Sequence, residues 1–299
     1  MPEAAIFQGL SWNPLTDLDR LVSYPFMVHA LEAGTIVAFM AGVTGWFVVL
    51  RRQTFVGHTL SVIAFPGAAA ATLAGLPLAV GYFGFCACGA LALGGIGGSR
   101  RGLSAESASI GSLQALALAL GFLFVSLYHG ILSGLDSLLF GTFLGITSRQ
   151  VLLLLVVAVA TVSFVAVVAR PLVFASVDAD VARARGVPVR LLGLGFLLVL
   201  GLSVAETSQI TGALLVFALL VTPAATAHEL TSRPGLGIAL SVGLALGVTW
   251  LGLALAYFST YPVGFYVTSL SFALYVLVRL GRGAVGRRRA TARFAPEVA

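Results

Sequence analysis

The chain contains no lysine: all 17 of its basic residues are arginine. A Walker-type nucleotide loop needs a lysine to reach the phosphates, and Schiff-base catalysis needs one as nucleophile. Both chemistries are excluded from this chain. Charge of either sign is scarce. Only 9% of the 299 residues are charged and 59% are hydrophobic, whereas an ordinary soluble domain carries roughly 25% charge. A soluble exterior needs polar residues that this chain does not have, so a cytosolic globular enzyme and a disordered protein are both ruled out. Cysteine is limited to Cys86 and Cys88, too few for a disulfide-stapled secreted domain. Two apart in an apolar run, they face different sides of a helix and read as small hydrophobes. The four histidines are scattered and leave no catalytic constellation for a membrane-embedded enzyme.

What is present is length and apolarity in repeated runs. Crossing a hydrocarbon core of about 30 Å takes about 20 helical residues. Nine stretches qualify: 26–50, 58–76, 79–98, 107–128, 150–171, 188–207, 210–227, 235–258 and 263–280. The expected fold class is therefore all-α, a polytopic transmembrane helical bundle. Its parts are an extracytoplasmic N-terminal segment over 1–25, a membrane domain over 26–281 and a basic tail over 282–299. The polar start of the chain does not have the form of a cleavable signal peptide. A shorter apolar piece, 138–147, is half a span and reads as a re-entrant or interfacial helix beside Asp136.

Arginine placement sets the expected orientation. With the N-terminus outside and the C-terminus inside, Arg20 and Arg149 alone fall outside, and the other fifteen arginines face the cytoplasm. This is a strong positive-inside bias, and it favours an odd number of spans. The net charge of +6 thus reports topology and a lipid bilayer, and no nucleic-acid partner is expected. Runs of small residues, such as 67–71 and 89–98, suit close helix contact in lipid.

One polar segment, 174–188, interrupts the bundle on the cytoplasmic side. Asp178 suits the positive end of a short helix, Arg183 and Arg185 suit its negative end, and Gly186 suits its C-terminal cap. The segment reads as a short surface helix: either an ordinary interfacial loop helix or a docking element for a separate cytoplasmic protein.

The same segment resembles the coupling helix of the ABC-3 family of metal permeases, with Asp178, Ala182 and Gly186 at the family's spacing. Residues 212–227, including Thr222, Pro223, Ala224 and Ala225, resemble that family's most recognisable helix. Leu138, Phe140 and Gly141 with Leu144 and Gly145 resemble its short loop motif. Arg51 and Arg52 followed by Phe55, Gly57, His58, Leu60, Ser61, Pro66 and Gly67 resemble the start of its second span, and 104–111 the approach to its fourth. These matches run in order over about residues 25–280.

The resemblance implies a permease subunit of an ABC importer for zinc, manganese or iron. It implies a homodimer, a cytoplasmic ATP-binding subunit that docks on Asp178, Ala182, Arg183 and Gly186, and an extracytoplasmic metal-binding receptor. It implies no permanently bound cofactor; the divalent metal ion is cargo. The absent lysine agrees with an energy source on another chain.

The family commonly shows Asp or His, then His four residues later, at the start of the second span; four residues put two ligands on one helix face. Here the positions hold His58 and Val62. The family also has an Asp near the last span, and the matching position is Thr260. The candidate pathway is His58, Ser61, Glu206 and Thr260, with His58 as metal ligand. Two readings of His58 stand: a pathway ligand, or an interfacial histidine bonded to backbone. Glu206 is either a pathway carboxylate or a cap for the following helix. His228 and Glu229 read as surface groups, and so by default do His29 and His129. The alternative transporter class is an ion-gradient-driven carrier, which usually shows internal repeats and intramembrane charge; no convincing repeat is visible.

Overall fold

The computed structural model describes residues 23–96, 103–128, 145–259 and 261–293. Among them the chain is helical throughout, in ten helices: α1 (Pro25–Leu50), α2 (Thr54–Leu73), α3 (Leu78–Ile96), α4 (Leu103–Leu127), α5 (Ser148–Val177), α6 (Ala179–Ala184), α7 (Val189–Thr211), α8 (Ala213–Leu230), α9 (Pro234–Tyr257) and α10 (Val263–Arg293). Eight of these are long and apolar enough to cross a membrane, and they coincide with eight of the nine expected spans. The chain is a multi-pass membrane protein.

The remaining expected span, 210–227, is α8, of the same length but three residues later than expected. Gly212 takes φ +76, ending α7 and opening α8. Residues 210 and 211 therefore belong to α7, and α8 is an 18-residue helix about 27 Å long. A second correction concerns the segment 174–188. Helix α5 runs on to Val177 because Leu172 and Ala175 are buried, and the Ser176 hydroxyl donates to the Leu172 carbonyl at 2.5 Å. Only α6 is a separate short helix. Of the stretch 138–147, residues 138–144 lie outside the described residues, as do Asp136, Arg20, His129 and Thr260.

Local sequence sets the helix ends. Pro25 and Pro234 sit in the first turns of α1 and α9, where the missing N–H costs nothing. Thr147 and Gln150 form a reciprocal capping box that starts α5. Inside the apolar spans, hydroxyls turn back on their own helix: Thr44 to Met40, Thr59 to Phe55 and Thr226 to Thr222. Each donor is thereby satisfied away from water.

Helix α8 packs against α1, α2, α7, α9 and α10 and so occupies the middle of the bundle. Helix α1 packs against α9, α8 and α5, helix α2 against α3 and α4, and α3 against α7. Small residues make these contacts close. A side chain on Gly45 would collide with the Leu220 carbonyl oxygen, and Gly67 and Gly81 each occupy the space a Cβ on the other would need. Ser241 of α9 donates to the Gly42 carbonyl of α1 at 2.8 Å, fixing the register of that crossing. Helices α1 and α2 are the most enclosed, whereas α4, α5 and α10 turn most of their residues outward.

Contacts between distant residues align the helix ends. At one end Tyr24 meets Tyr257, and the Ser148 hydroxyl lies 3.1 Å from His29 Nε2. At the other, Arg51 lies over Phe196, and His228 meets Trp46. The second end carries Arg51, Arg52, Arg183, Arg185, Arg190 and Arg233, which is the grouping the positive-inside pattern expects.

Candidate functional site

His58 lies in the second turn of α2, half-buried. Its ring meets Phe217 of α8 edge-on, with centroids 4.7 Å apart. Its Nδ1 is buried and has no hydrogen-bond partner, so the side chain is not the backbone-bonded interfacial histidine of the second sequence reading. Ser61, expected beside it, is used differently: its hydroxyl donates to the His58 carbonyl at 2.7 Å. Val62, one turn beyond His58, is buried and aliphatic. Pro66 inside α2 has no N–H for the carbonyl of Val62, four residues earlier. Residues 58–66 therefore supply one imidazole and a backbone carbonyl released by proline, rather than a pair of imidazoles.

Glu206 stands in the last turns of α7 and is 1% exposed. It is the one charged side chain among the buried described residues. Gln209 Nε2 donates to its Oε2 at 3.1 Å, and among the described residues no arginine pairs with it. The reading of Glu206 as a cap for the next helix does not hold, because α8 begins at Gly212 with no side-chain cap.

Glu206 belongs to a polar band at this end of α7. Ser203 donates to the Val199 carbonyl at 2.8 Å and lies 3.3 Å from the Thr161 hydroxyl of α5. Thr211 donates to the Thr207 carbonyl, and the Ser208 hydroxyl is buried without a partner. A buried carboxylate with one amide partner, on a stretch of helix rich in hydroxyl residues, offers oxygen donors of the kind that take hard divalent cations. Among the described residues no hydrogen bond joins Glu206 to His58, and no three His, Cys, Asp or Glu side chains converge on one point. Among the described residues the candidate pathway thus contains no closed metal centre.

The short helix α6 is tightly defined. The Asp178 carboxylate accepts from the backbone N–H groups of Asp180 and Val181 at 3.0 and 2.9 Å. At the other end, Gly186 takes φ +81, its N–H bonds the Arg183 carbonyl, and the Val187 N–H bonds the Ala182 carbonyl. That is the paired-bond stop in which a left-handed glycine follows the capping residue; the capping residue itself is Arg185. Ala182 is fully buried against the bundle. Arg183 pairs with Asp180 at 3.1 Å, and both are exposed. The helix is therefore held at both ends and seated through one small residue, with a charged outer face.

One residue was misjudged from the sequence. His228 is not a plain surface group: its ring stacks on Trp46 at 5.0 Å and 14°, and its Nε2 donates to the Trp46 carbonyl at 3.1 Å. The pair closes the arginine-bearing end between α1 and α8. Gly237 of α9 abuts the Trp46 indole so closely that a Cβ there would collide with it. The partner lies 182 residues away, and no local spacing signals it. Cys86 is buried, with its thiol toward the Leu60 carbonyl at 3.8 Å, while Cys88 is exposed; the two face different sides, as expected.

Known proteins resemble this chain over most of its length. The sequence model described as "ABC 3 transport family" matches residues 23–281. The manganese transport system membrane protein MntC of Halalkalibacterium halodurans is 31% identical over 215 residues, 72% of this chain and 73% of that one. The manganese import system permease protein ScaB of Streptococcus parasanguinis is 26% identical over 87% of this chain and 92% of its own. Among solved structures, PsaBC from Streptococcus pneumoniae in complex with Fab superposes with a TM-score of 0.77 at 25% identity, covering 88% of this chain and 94% of that one.

Proposed function

Because the chain belongs to the ABC 3 transport family, we propose that it is the membrane permease of an importer that moves a divalent metal cation, manganese or zinc, into the cell, driven by ATP hydrolysis on a separate cytoplasmic subunit. The observation that carries this reading is α6: a short helix capped at both ends, buried through Ala182 and charged on its outer face. It joins α5 directly to α7, the helix that bears Glu206. A force applied to α6 is transmitted into the one span that, among the described residues, holds a buried carboxylate. Asp178, Ala182, Arg183 and Gly186 would form the surface that receives the ATP-binding subunit.

The cargo exchanges its water for protein donors on the way, since a bare charge in hydrocarbon is prohibitive. In this chain the donors would be Glu206 with its neighbouring hydroxyls, Thr260, the His58 imidazole and the carbonyl released by Pro66. Weak, separated donors suit transit, because a cation held too tightly would not leave. An extracytoplasmic metal-binding receptor would deliver the cation, and a second copy of the chain would complete the passage.

A second reading has one observation in its favour. A buried carboxylate beside the break at Gly212 is also the equipment of a gradient-driven carrier. The deciding experiment is uptake of manganese and zinc by the chain reconstituted in vesicles with an ATP-binding subunit and receptor. Uptake that requires ATP and survives collapse of ion gradients supports the importer. Uptake by the chain alone that follows a gradient supports the carrier.

A further inference from the structure

Four described residues take left-handed backbone angles. Three are glycines: Gly75, Gly186 and Gly212; the fourth is Arg52, at φ 56. It lies in the turn between α1 and α2. The Arg52 N–H bonds the Val49 carbonyl at 3.0 Å and the Gln53 N–H bonds the Val48 carbonyl at 2.9 Å, so α1 ends with the same paired-bond stop that Gly186 makes for α6. At that position glycine is the relaxed choice and an arginine is strained. Strain kept where a common residue would remove it points to a use for the side chain.

The two arginines of the turn differ in what they touch. Arg51 is turned inward. Its guanidinium lies 5.4 Å over the Phe196 ring of α7, and its Nε donates to Gln53 Oε1 at 3.0 Å. Burial pushes that guanidinium below its ordinary pKa. A Cβ on Gly193, one turn nearer the start of α7, would come within 3.4 Å of the Arg51 Nη2. Arg51 thus fastens the turn to α7, just past α6. Arg52 is exposed, and its side chain has no hydrogen bond or ion pair among the described residues. The strained backbone therefore presents a guanidinium with no partner among the described residues, at the end of the molecule that carries α6.

We propose that Arg52 is a second docking contact for the ATP-binding subunit, engaging a carboxylate-bearing surface of that protein beside the contact made by α6. The proposal rests on the functional reading given above. An anionic lipid headgroup would offer similar charge, but α1 and α2 are the most enclosed helices of the bundle. Their connecting turn emerges from its middle and not along the lipid-facing flank of α4, α5 and α10. With Arg51 tied to α7 and α6 leading into α7, both contacts act on the same helix.

The test separates strain from docking. Arg52→Gly removes the guanidinium and relaxes the backbone, Arg52→Ala removes the guanidinium alone, and Arg52→Lys keeps the charge. Each is co-expressed with the ATP-binding subunit, and two quantities are read: the amount of that subunit retained on the purified chain, and the thermal midpoint of the chain alone in detergent. The expected result is that Gly and Ala weaken retention about tenfold, as loss of an interfacial ion pair does, while Lys largely keeps it. The Gly variant should also melt higher than wild type, so loss of fold does not explain its weaker docking. Retention by Arg52→Gly equal to wild type overturns the contact and leaves the importer reading in place. If the wild-type chain retains no ATP-binding subunit, the importer reading falls, and the contact with it. If the Arg52 variants change binding to vesicles rich in anionic lipid but not retention of the subunit, the side chain serves the membrane and the proposal is wrong.

Discussion

His58 touches Phe217, leaves Nδ1 without a partner, and has Val62 where a second imidazole would complete a pair. His58→Ala is expected to reduce metal uptake strongly with the protein still in the membrane. Val62→His is expected to tighten metal retention and slow release. Both are read by uptake and wash-out of the labelled metal in vesicles, and unchanged uptake by His58→Ala would take this residue out of the pathway. Glu206→Gln keeps the shape and a polar partner for Gln209 while removing the buried charge. A lone buried carboxylate contributes no net stability, so the thermal midpoint should hold or rise while uptake falls by about tenfold or more, the scale at which changes around a metal register. These two candidates were legible because histidine and glutamate are rare in apolar runs. His228 was not, because its meaning comes from Trp46, and a stack between residues so far apart leaves no mark on local spacing. Ser61 lies one turn beyond His58, and its hydroxyl is spent on the His58 carbonyl, as a short helical side chain in lipid commonly is.

Hydropathy located the long helices well, since an apolar run of span length has few other uses, but it was blind to where each one stops. Helix α5 outlasts its apolar stretch and takes in Phe174 to Val177, and α8 starts only after Gly212. Those boundaries depend on backbone hydrogen bonds and on one left-handed glycine. The caps of α6 were legible from Asp178 and Gly186, because each residue type has a specific local task. Replacing Gly186 by Val forces a branched side chain into a left-handed backbone, at a cost of about 1–2 kcal/mol. The Gly186→Val protein should insert normally and bind metal, while ATP hydrolysis by the partner proceeds without matching transport; a ratio of hydrolysis to uptake equal to wild type would remove α6 from coupling. Gly45 sets a different limit. Gly45→Val drives a side chain into the Leu220 carbonyl, and overpacking of this kind costs typically about 1–3 kcal/mol. The expected signs are a lower thermal midpoint and less protein in the membrane.

For the molecule as a whole, fifteen arginines on one side and two on the other predict an external N-terminus and a cytoplasmic C-terminus. A reporter fused to the C-terminus should be active only in the cytoplasm, and activity outside would reverse every assignment of side. Helix α10 continues through Arg293 as 31 helical residues, about 46 Å by helical rise. It outlasts a hydrocarbon core of about 30 Å, so the expected basic tail over 282–299 begins as a continuation of the last span.

The contacts of α1 are long in sequence as well as short in space. Gly42 receives its bond from Ser241, Trp46 from His228, and Thr35 from Trp250, partners 199, 182 and 215 residues downstream. During synthesis the first span is therefore made long before the surfaces it fits. At ordinary ribosomal rates of about 5–20 residues per second, α1 waits on the order of ten to forty seconds in the bilayer with its glycine seam open. In that interval it is an orphaned helix. The cell must shield it, through the insertion machinery or through provisional pairing with α2, until the final third of the chain arrives to claim it.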